Sequence, residues 1–179
     1  MINIQENVKN KQHELLSTLG LKNISALPKI TKVTLNCGLG QIRQNKDLVE
    51  YAKDALSVIA GQKPAVRRSK KAIAGFKLRQ NEEIGLVVTL RGQKMFDFLH
   101  RLINVSLPRI RDFRGLTRNS FDKQGNFSIG FRDQLPFAEL SHQVSERPFG
   151  VSVTVSIANS DPEKSYKLMQ VLGFPMKTE

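Results

Sequence analysis

The chain has 179 residues and a mass of 20.2 kDa, enough to bury roughly 70% of its unfolded surface around a core that needs no covalent staple. Its 40% hydrophobic and 25% charged content is ordinary for a globular protein. Its charge is not: 28 Lys and Arg against 16 Asp and Glu give +12, beyond the roughly +2 to +8 that solubility asks of a small domain, and favour a polyanion, nucleic acid ahead of an acidic membrane surface.

Cys37 is the only cysteine, which excludes an intrachain disulfide and suits a reducing compartment. His13, His100 and His142 are too dispersed for a Cys/His zinc site. The opening Met1-Ile-Asn-Ile-Gln-Glu-Asn has no basic-then-apolar leader pattern, and no apolar run approaches the ~18 residues of a membrane span. The chain is therefore expected to be neither secreted nor membrane-integral, and to be one domain without repeats or linkers.

In chain order, the spacing predicts a helix over about 3–19, with Ile4, Val8, Leu15 and Leu19 on one side and Gly20 as its stop. A strand follows at Lys32–Cys37, where Val33, Leu35 and Cys37 oppose Lys32, Thr34 and Asn36. The Gly38-Leu-Gly40 turn lacks both the third glycine of a dinucleotide fingerprint and the Gly-Lys-Ser/Thr of a P-loop, and reads as a tight connection. A second helix spans about 46–60, ending at Gly61. In the strand Leu86–Arg91, Leu86, Val88 and Leu90 oppose Val87, Thr89 and Arg91. A third helix covers about 93–107 and is closed by Pro108. Strands at Asn126–Phe131 and Val151–Ile157 come next, and a last helix opens on a capping box, Ser160-Asp-Pro-Glu163.

Successive strand side chains point to opposite faces, so each of these strands has one apolar face and one small, polar face. Strands covered by helices on both sides would read as continuous apolar runs. The expected fold is therefore α+β: a sheet with helices packed on one face and the other face open. The open face reads equally well as a solvated surface or as a flat set of donors for an RNA backbone.

Two segments concentrate charge. Gln62–Arg79 carries seven basic residues, Lys63, Arg67, Arg68, Lys70, Lys71, Lys77 and Arg79, with no acid between Asp54 and Glu82. Such a stretch is expected to lack order unless an anion neutralises it; Gly75 permits a turn and Phe76 can stack on a base. Arg109, Arg111, Arg114 and Arg118 offer planar forks for phosphates, with Asp112 placed to pair with one of them. No paired acids, no nucleophile beside a base and no metal spacing emerge, and Cys37 faces the apolar side. An enzyme on such a sheet would need one of these; a free-standing regulatory RNA binder would not.

Ser57-Val-Ile-Ala-Gly-Gln-Lys-Pro64, Ala74-Gly-Phe-Lys-Leu-Arg79, Val88-Thr-Leu-Arg-Gly92, Leu107-Pro-Arg-Ile-Arg-Asp-Phe-Arg-Gly-Leu116 and Ser120-Phe-Asp-Lys-Gln-Gly-Asn126 together resemble the bacterial-type large-subunit ribosomal protein L5 family. The resemblance runs in order from about Leu27 to Pro175. It implies an antiparallel sheet open on one side, an N-terminal helix over 1–20, a core over 27–175 and a mobile basic loop over about 69–83. It also implies residence in the ribosome, cytoplasmic or organellar, without a cofactor. The implied partners are 5S rRNA in the central protuberance, P-site tRNA, 23S-type rRNA with neighbouring large-subunit proteins, and small-subunit protein S13. Family contacts to 5S rRNA fall on Asn36, Gln62, Thr89 and Arg91, and the flanking Lys32, Thr34, Lys63, Arg109 and Arg111 are assigned to the same surface. Lys70, Lys71, Gly75, Phe76, Lys77 and Arg79 belong to the loop that approaches the tRNA elbow. The S13 contact maps to the region from Arg109 to Val144. There the chain departs from the family pattern, with Leu135-Pro-Phe-Ala-Glu-Leu140 and then Ser-His-Gln-Val-Ser-Glu where a more acidic run is expected.

Overall fold

A computed structural model of the chain describes residues 12–111, 113–140 and 148–177. Among these residues, four α-helices accompany a five-stranded antiparallel sheet of order β2-β3-β1-β5-β4, an α+β fold. The strands are β1 (Lys29–Gly38), β2 (Ala65–Arg68), β3 (Glu83–Leu90), β4 (Phe127–Phe131) and β5 (Val151–Ala158). The helices are α1 (Gln12–Leu19), α2 (Lys46–Ala60), α3 (Gly92–Arg101) and α4 (Pro162–Val171). The chain forms two compact units, one of Met1–Val33, Leu90–Ile129 and Thr154–Glu179, the other of Thr34–Thr89 and Gly130–Val153.

In the second unit α2 begins where Asn45 accepts hydrogen bonds from the amides of Asp47 (3.1 Å) and Leu48 (3.3 Å), a cap that contributes about 1 kcal/mol. It ends at Gly61, whose φ of +62° turns the chain out of the helix. Val49, Ala52, Ala55, Leu56 and Ile59 are buried along one side of α2, as are Leu35, Cys37, Leu86, Val88, Val151 and Val153 of the strands. Tyr51 meets Phe149 edge-on at 6.0 Å, and Phe131 packs on Phe137 at 5.0 Å. In the first unit Leu15, Met95, Phe98, Leu99, Leu168, Met169 and Leu172 bury the helix faces, while Phe127 touches both Phe121 (5.4 Å) and Phe174 (5.9 Å).

The alternation expected along the strands is present. In β5, Val151, Val153, Val155 and Ile157 are buried, whereas Ser152 is exposed and Thr154 and Ser156 are half-buried. In β1 it slips by one residue between Ile30 and Val33, both buried, so the regular pattern starts where the sequence suggests, at Lys32.

Residues 3–11 of the expected first helix lie outside the described residues. Several boundaries elsewhere differ. The third helix leaves α geometry after Arg101, widening into a π turn over Leu102–Ser106 and a 3-10 turn over Leu107–Arg109. Pro108 has no amide with which to continue the ladder, and Asn104 Nδ2 donates to the His100 carbonyl at 2.9 Å. Arg91 is not the end of β3 but the residue preceding α3, with φ −139° and ψ 164°. The α4 cap is Asp161 rather than Ser160: Pro162 occupies the first helical turn, so the residue before it accepts from Lys164 N at 2.8 Å.

Candidate nucleic-acid interface

Thr34 and Asn36 stand between the buried Val33, Leu35 and Cys37, on the opposite side of β1, and each is half-buried; so is Thr89, between the buried Val88 and Leu90. Among the described residues, the side chains of Thr34, Asn36 and Thr89 have no hydrogen-bond partner, and their polar atoms remain open to solvent. Asn36 does use its backbone carbonyl, which accepts from Ser152 Oγ at 3.4 Å. The same side of the other strands is partly self-satisfied: Ser128 Oγ and Thr154 Oγ1 share a hydrogen bond at 3.1 Å. The second unit thus places Thr34, Asn36 and Thr89 together with Gln62 and Lys63, both exposed just beyond the α2 terminus. Lys32, Arg91, Arg109 and Arg111 belong to the first unit. Arg91 is exposed and its side chain makes no capping bond. Arg109 and Arg111 are exposed on the turns after α3, and Asp112 lies outside the described residues. Arg118 stacks over the Tyr166 ring at 5.0 Å.

The basic stretch is built, not featureless. Ala65–Arg68 forms β2, paired antiparallel with β3 at Ala65↔Val87 and Val66↔Leu86. Beyond it the neck of a loop closes on Ser69, which is buried: Ser69 N donates to Glu82 O (2.9 Å), Asn81 N to Ser69 O (3.0 Å), Ser69 Oγ to Arg79 O (2.5 Å) and Glu82 N to Ser69 Oγ (3.2 Å). At the tip Ile73 and Leu78 exchange backbone hydrogen bonds of 3.0 and 3.1 Å around a 3-10 turn at Ala74–Phe76. Phe76, 72% exposed, projects from that turn. Local counter-charge exists after all: it comes from the far end of the loop, where Glu83 lies 3.7 Å from Arg68 and 3.2 Å from Lys53, and Glu82 lies 3.5 Å from Arg43. Among the described residues, no acid lies within ion-pair reach of Lys63, Arg67, Lys70, Lys71, Lys77 or Arg79.

Arg43, Ser69 and Glu82 organise this loop and carry no periodic or motif signal. Only its burial sets Ser69 apart from the exposed cations around it, and that requires the fold.

The described residues contain no group of three or more His, Cys, Asp or Glu side chains placed to hold a metal ion. Among them, no helix is long and apolar enough to cross a membrane. Burial pushes the Cys37 thiol up to about 11, leaving it protonated and inert at neutral pH. The site offers phosphate-ready cations, unpaired amide and hydroxyl groups, and one projecting ring.

A family model for ribosomal protein L5 matches residues 23–79, and one for the C-terminus of the same ribosomal family matches residues 83–176. The large ribosomal subunit protein uL5 of Synechocystis sp. is 46% identical over 165 residues, 92% of each chain. That of Thermus aquaticus is 44% identical over 164 residues, 92% of this chain and 90% of its own; that of Psychrobacter sp. is 43% identical over 166 residues, 93% of each. With two family models in succession and relatives matched over nearly their full length, the chain belongs to the ribosomal protein L5 family.

Proposed function

We propose that this chain is a structural component of the large ribosomal subunit, catalysing no reaction. It holds 5S rRNA in the central protuberance and extends its 69–83 loop to the elbow of the P-site tRNA. The observation that carries the reading is the set of polar side chains on β1 and β3, Thr34, Asn36 and Thr89, which are half-buried yet unpartnered among the described residues. Side chains in that condition suit an outside ligand, and with Lys32, Gln62, Lys63, Arg91, Arg109 and Arg111 they supply both hydrogen bonds and charge for an RNA backbone. The exposed Phe76, with Lys70, Lys71, Lys77 and Arg79 unpaired among the described residues, gives the loop a separate stacking and phosphate-binding end. Gly75 lies within its terminal turn.

On this reading the protein resides in the cytoplasmic ribosome, beside 23S-type rRNA and neighbouring large-subunit proteins. The region from Arg109 to Val144 bridges to small-subunit protein S13; its residues 112 and 141–144 lie outside the described residues. Sedimentation of the tagged protein tests ribosomal residence, and absence from the large-subunit peak refutes it. Filter binding to 5S rRNA tests the RNA assignment; equal affinity for an unrelated RNA of the same length refutes that.

A further inference from the structure

We propose that Arg43 and Glu82 form a clamp that fixes the conformation of the loop tip, making Arg43 a positioning residue for the tRNA contact; this rests on the assignment of the loop to tRNA. Arg43 lies in the turn between β1 and α2, where its amide donates to Leu39 O at 2.8 Å. Its side chain is only 12% exposed, so it is poorly placed to meet a phosphate itself. Instead its Nη2 donates to the backbone carbonyls of Phe76 and of Lys77, the latter at 3.1 Å. These two carbonyls sit at the far end of the loop, more than thirty residues along the chain.

Glu82 holds the other side of the guanidinium, with Oε1 at 3.5 Å from Arg43 Nε. Its second oxygen, Oε2, accepts from Arg79 N at 2.9 Å. One carboxylate therefore ties the returning strand of the loop to the residue that grips its tip. The tip needs a grip. Lys77 has φ +50°, a left-handed conformation unfavourable for a side-chain-bearing residue, and Phe76 is held out in solvent with little apolar contact to stabilise it. Hydrogen bonds to a charged donor are the stronger kind, and two of them converge on this turn. The loop's cations attract RNA, while its shape is set by a pair that RNA need not touch.

The experiment uses the full chain and, in parallel, large subunits assembled with it. Arg43→Ala and Glu82→Gln should each speed amide exchange at Phe76, Lys77 and Leu78 about tenfold, as expected when a charge-assisted bond is lost locally. Exchange along α2 should not change. Both variants should weaken P-site tRNA binding several-fold, and Arg43→Lys should fall between. Glu82→Gln separates geometry from charge: it raises the net charge by one, so attraction alone would tighten tRNA binding, whereas loss of the clamp weakens it. Tighter binding by Glu82→Gln, or unchanged tip exchange in either variant, overturns the proposal. Faster exchange with unchanged tRNA binding overturns the positioning role, provided that deleting 71–78 weakens tRNA binding. If that deletion has no effect, the tRNA assignment falls, and the clamp stands or falls on exchange alone.

Discussion

Replacing Thr89 by Val and Arg91 by Ala probes the sheet side as an RNA-binding surface with little risk to the fold. Thr89 is half-buried, its hydroxyl unpartnered among the described residues; Val keeps its shape and suits a strand. Arg91 precedes α3 without capping it and, among the described residues, has no acid within ion-pair reach, so truncation removes no helix-stabilising bond. The two changes together should alter stability by no more than about 0.5 kcal/mol. Binding should respond far more. A hydroxyl bond contributes about 0.5–1.5 kcal/mol and one from a charged donor about 1.5–3 kcal/mol. The double variant therefore loses about 2–4.5 kcal/mol, roughly 30- to 2,000-fold in affinity for 5S rRNA. The log–log salt slope should also shrink by about 0.7–0.9 for the phosphate contact removed. Filter binding at several salt concentrations, beside a thermal melt, measures both effects. Unchanged affinity at unchanged melting temperature refutes the assignment of this side of the sheet.

Gly125→Ala should destabilise the protein by about 2–5 kcal/mol in urea titration, combining a left-handed alanine with overpacking. Gly125 has φ +78°, and a Cβ there would lie 2.6 Å from Ser165 Oγ and 2.8 Å from Asp161 O. Ser69→Ala should remove the hydroxyl that bridges Arg79 O and Glu82 N, leaving these two only their own 3.4 Å bond, and cost about 0.5–1.5 kcal/mol. Faster proteolytic cutting within 69–82 reports it, and cutting at the parent rate argues against the neck. Lys71→Gln with Lys77→Gln should lower the salt slope of tRNA binding by about 0.7 per phosphate released while leaving that of 5S rRNA unchanged; an equal drop in both means the loop touches both RNAs. For Cys37, burial raises the thiol from 9.0 to about 11 in the folded state, so the native protein binds more protons than the unfolded chain between those values. Its contribution is complete below pH 9 and is lost as pH rises toward 11. Subtracting the alkaline melting curve of Cys37→Ala isolates it, and parallel curves refute it.

Much of the fold is legible in the sequence because it rests on local patterns. Asn45 and Gly61 bracket α2 by cap chemistry visible in the chain, and the strand faces follow from period two. Parity alone places Cys37 on the apolar side, and it is buried there. β2 leaves no such trace. None of Ala65–Arg68 is buried, so no apolar alternation marks the strand, and its existence depends on backbone pairing with β3, about twenty residues on. Arg43 is silent for a related reason: its meaning depends on partners 33 to 39 residues away, brought together only by the turn after β1. Alternation puts Asn126 first in β4, but it sits before that strand, accepting from Ile157 N at 3.1 Å and bonded to Asp122 at 2.8 Å.

On the proposed function, the placement of the acids explains how one basic segment can serve two ends. Glu83 lies near Arg68 and Lys53 at the base of the loop, and Glu82 near Arg43, whose side chain is largely buried, so both carboxylates neutralise cations other than the exposed lysines of the loop. Neither reaches Lys70, Lys71 or Lys77. A surface ion pair contributes little to stability, about 0–1 kcal/mol, so these pairs matter less for holding the fold than for where they leave charge uncancelled. Had the same two acids stood at the tip, the net charge of +12 would be unchanged but they would have offset part of the charge of Lys70, Lys71, Lys77 and Arg79, weakening the loop's attraction for phosphate. On the proposed function, the segment's total charge suits a polyanion, and the positions of Glu82 and Glu83 leave Lys70, Lys71 and Lys77 uncancelled to meet it.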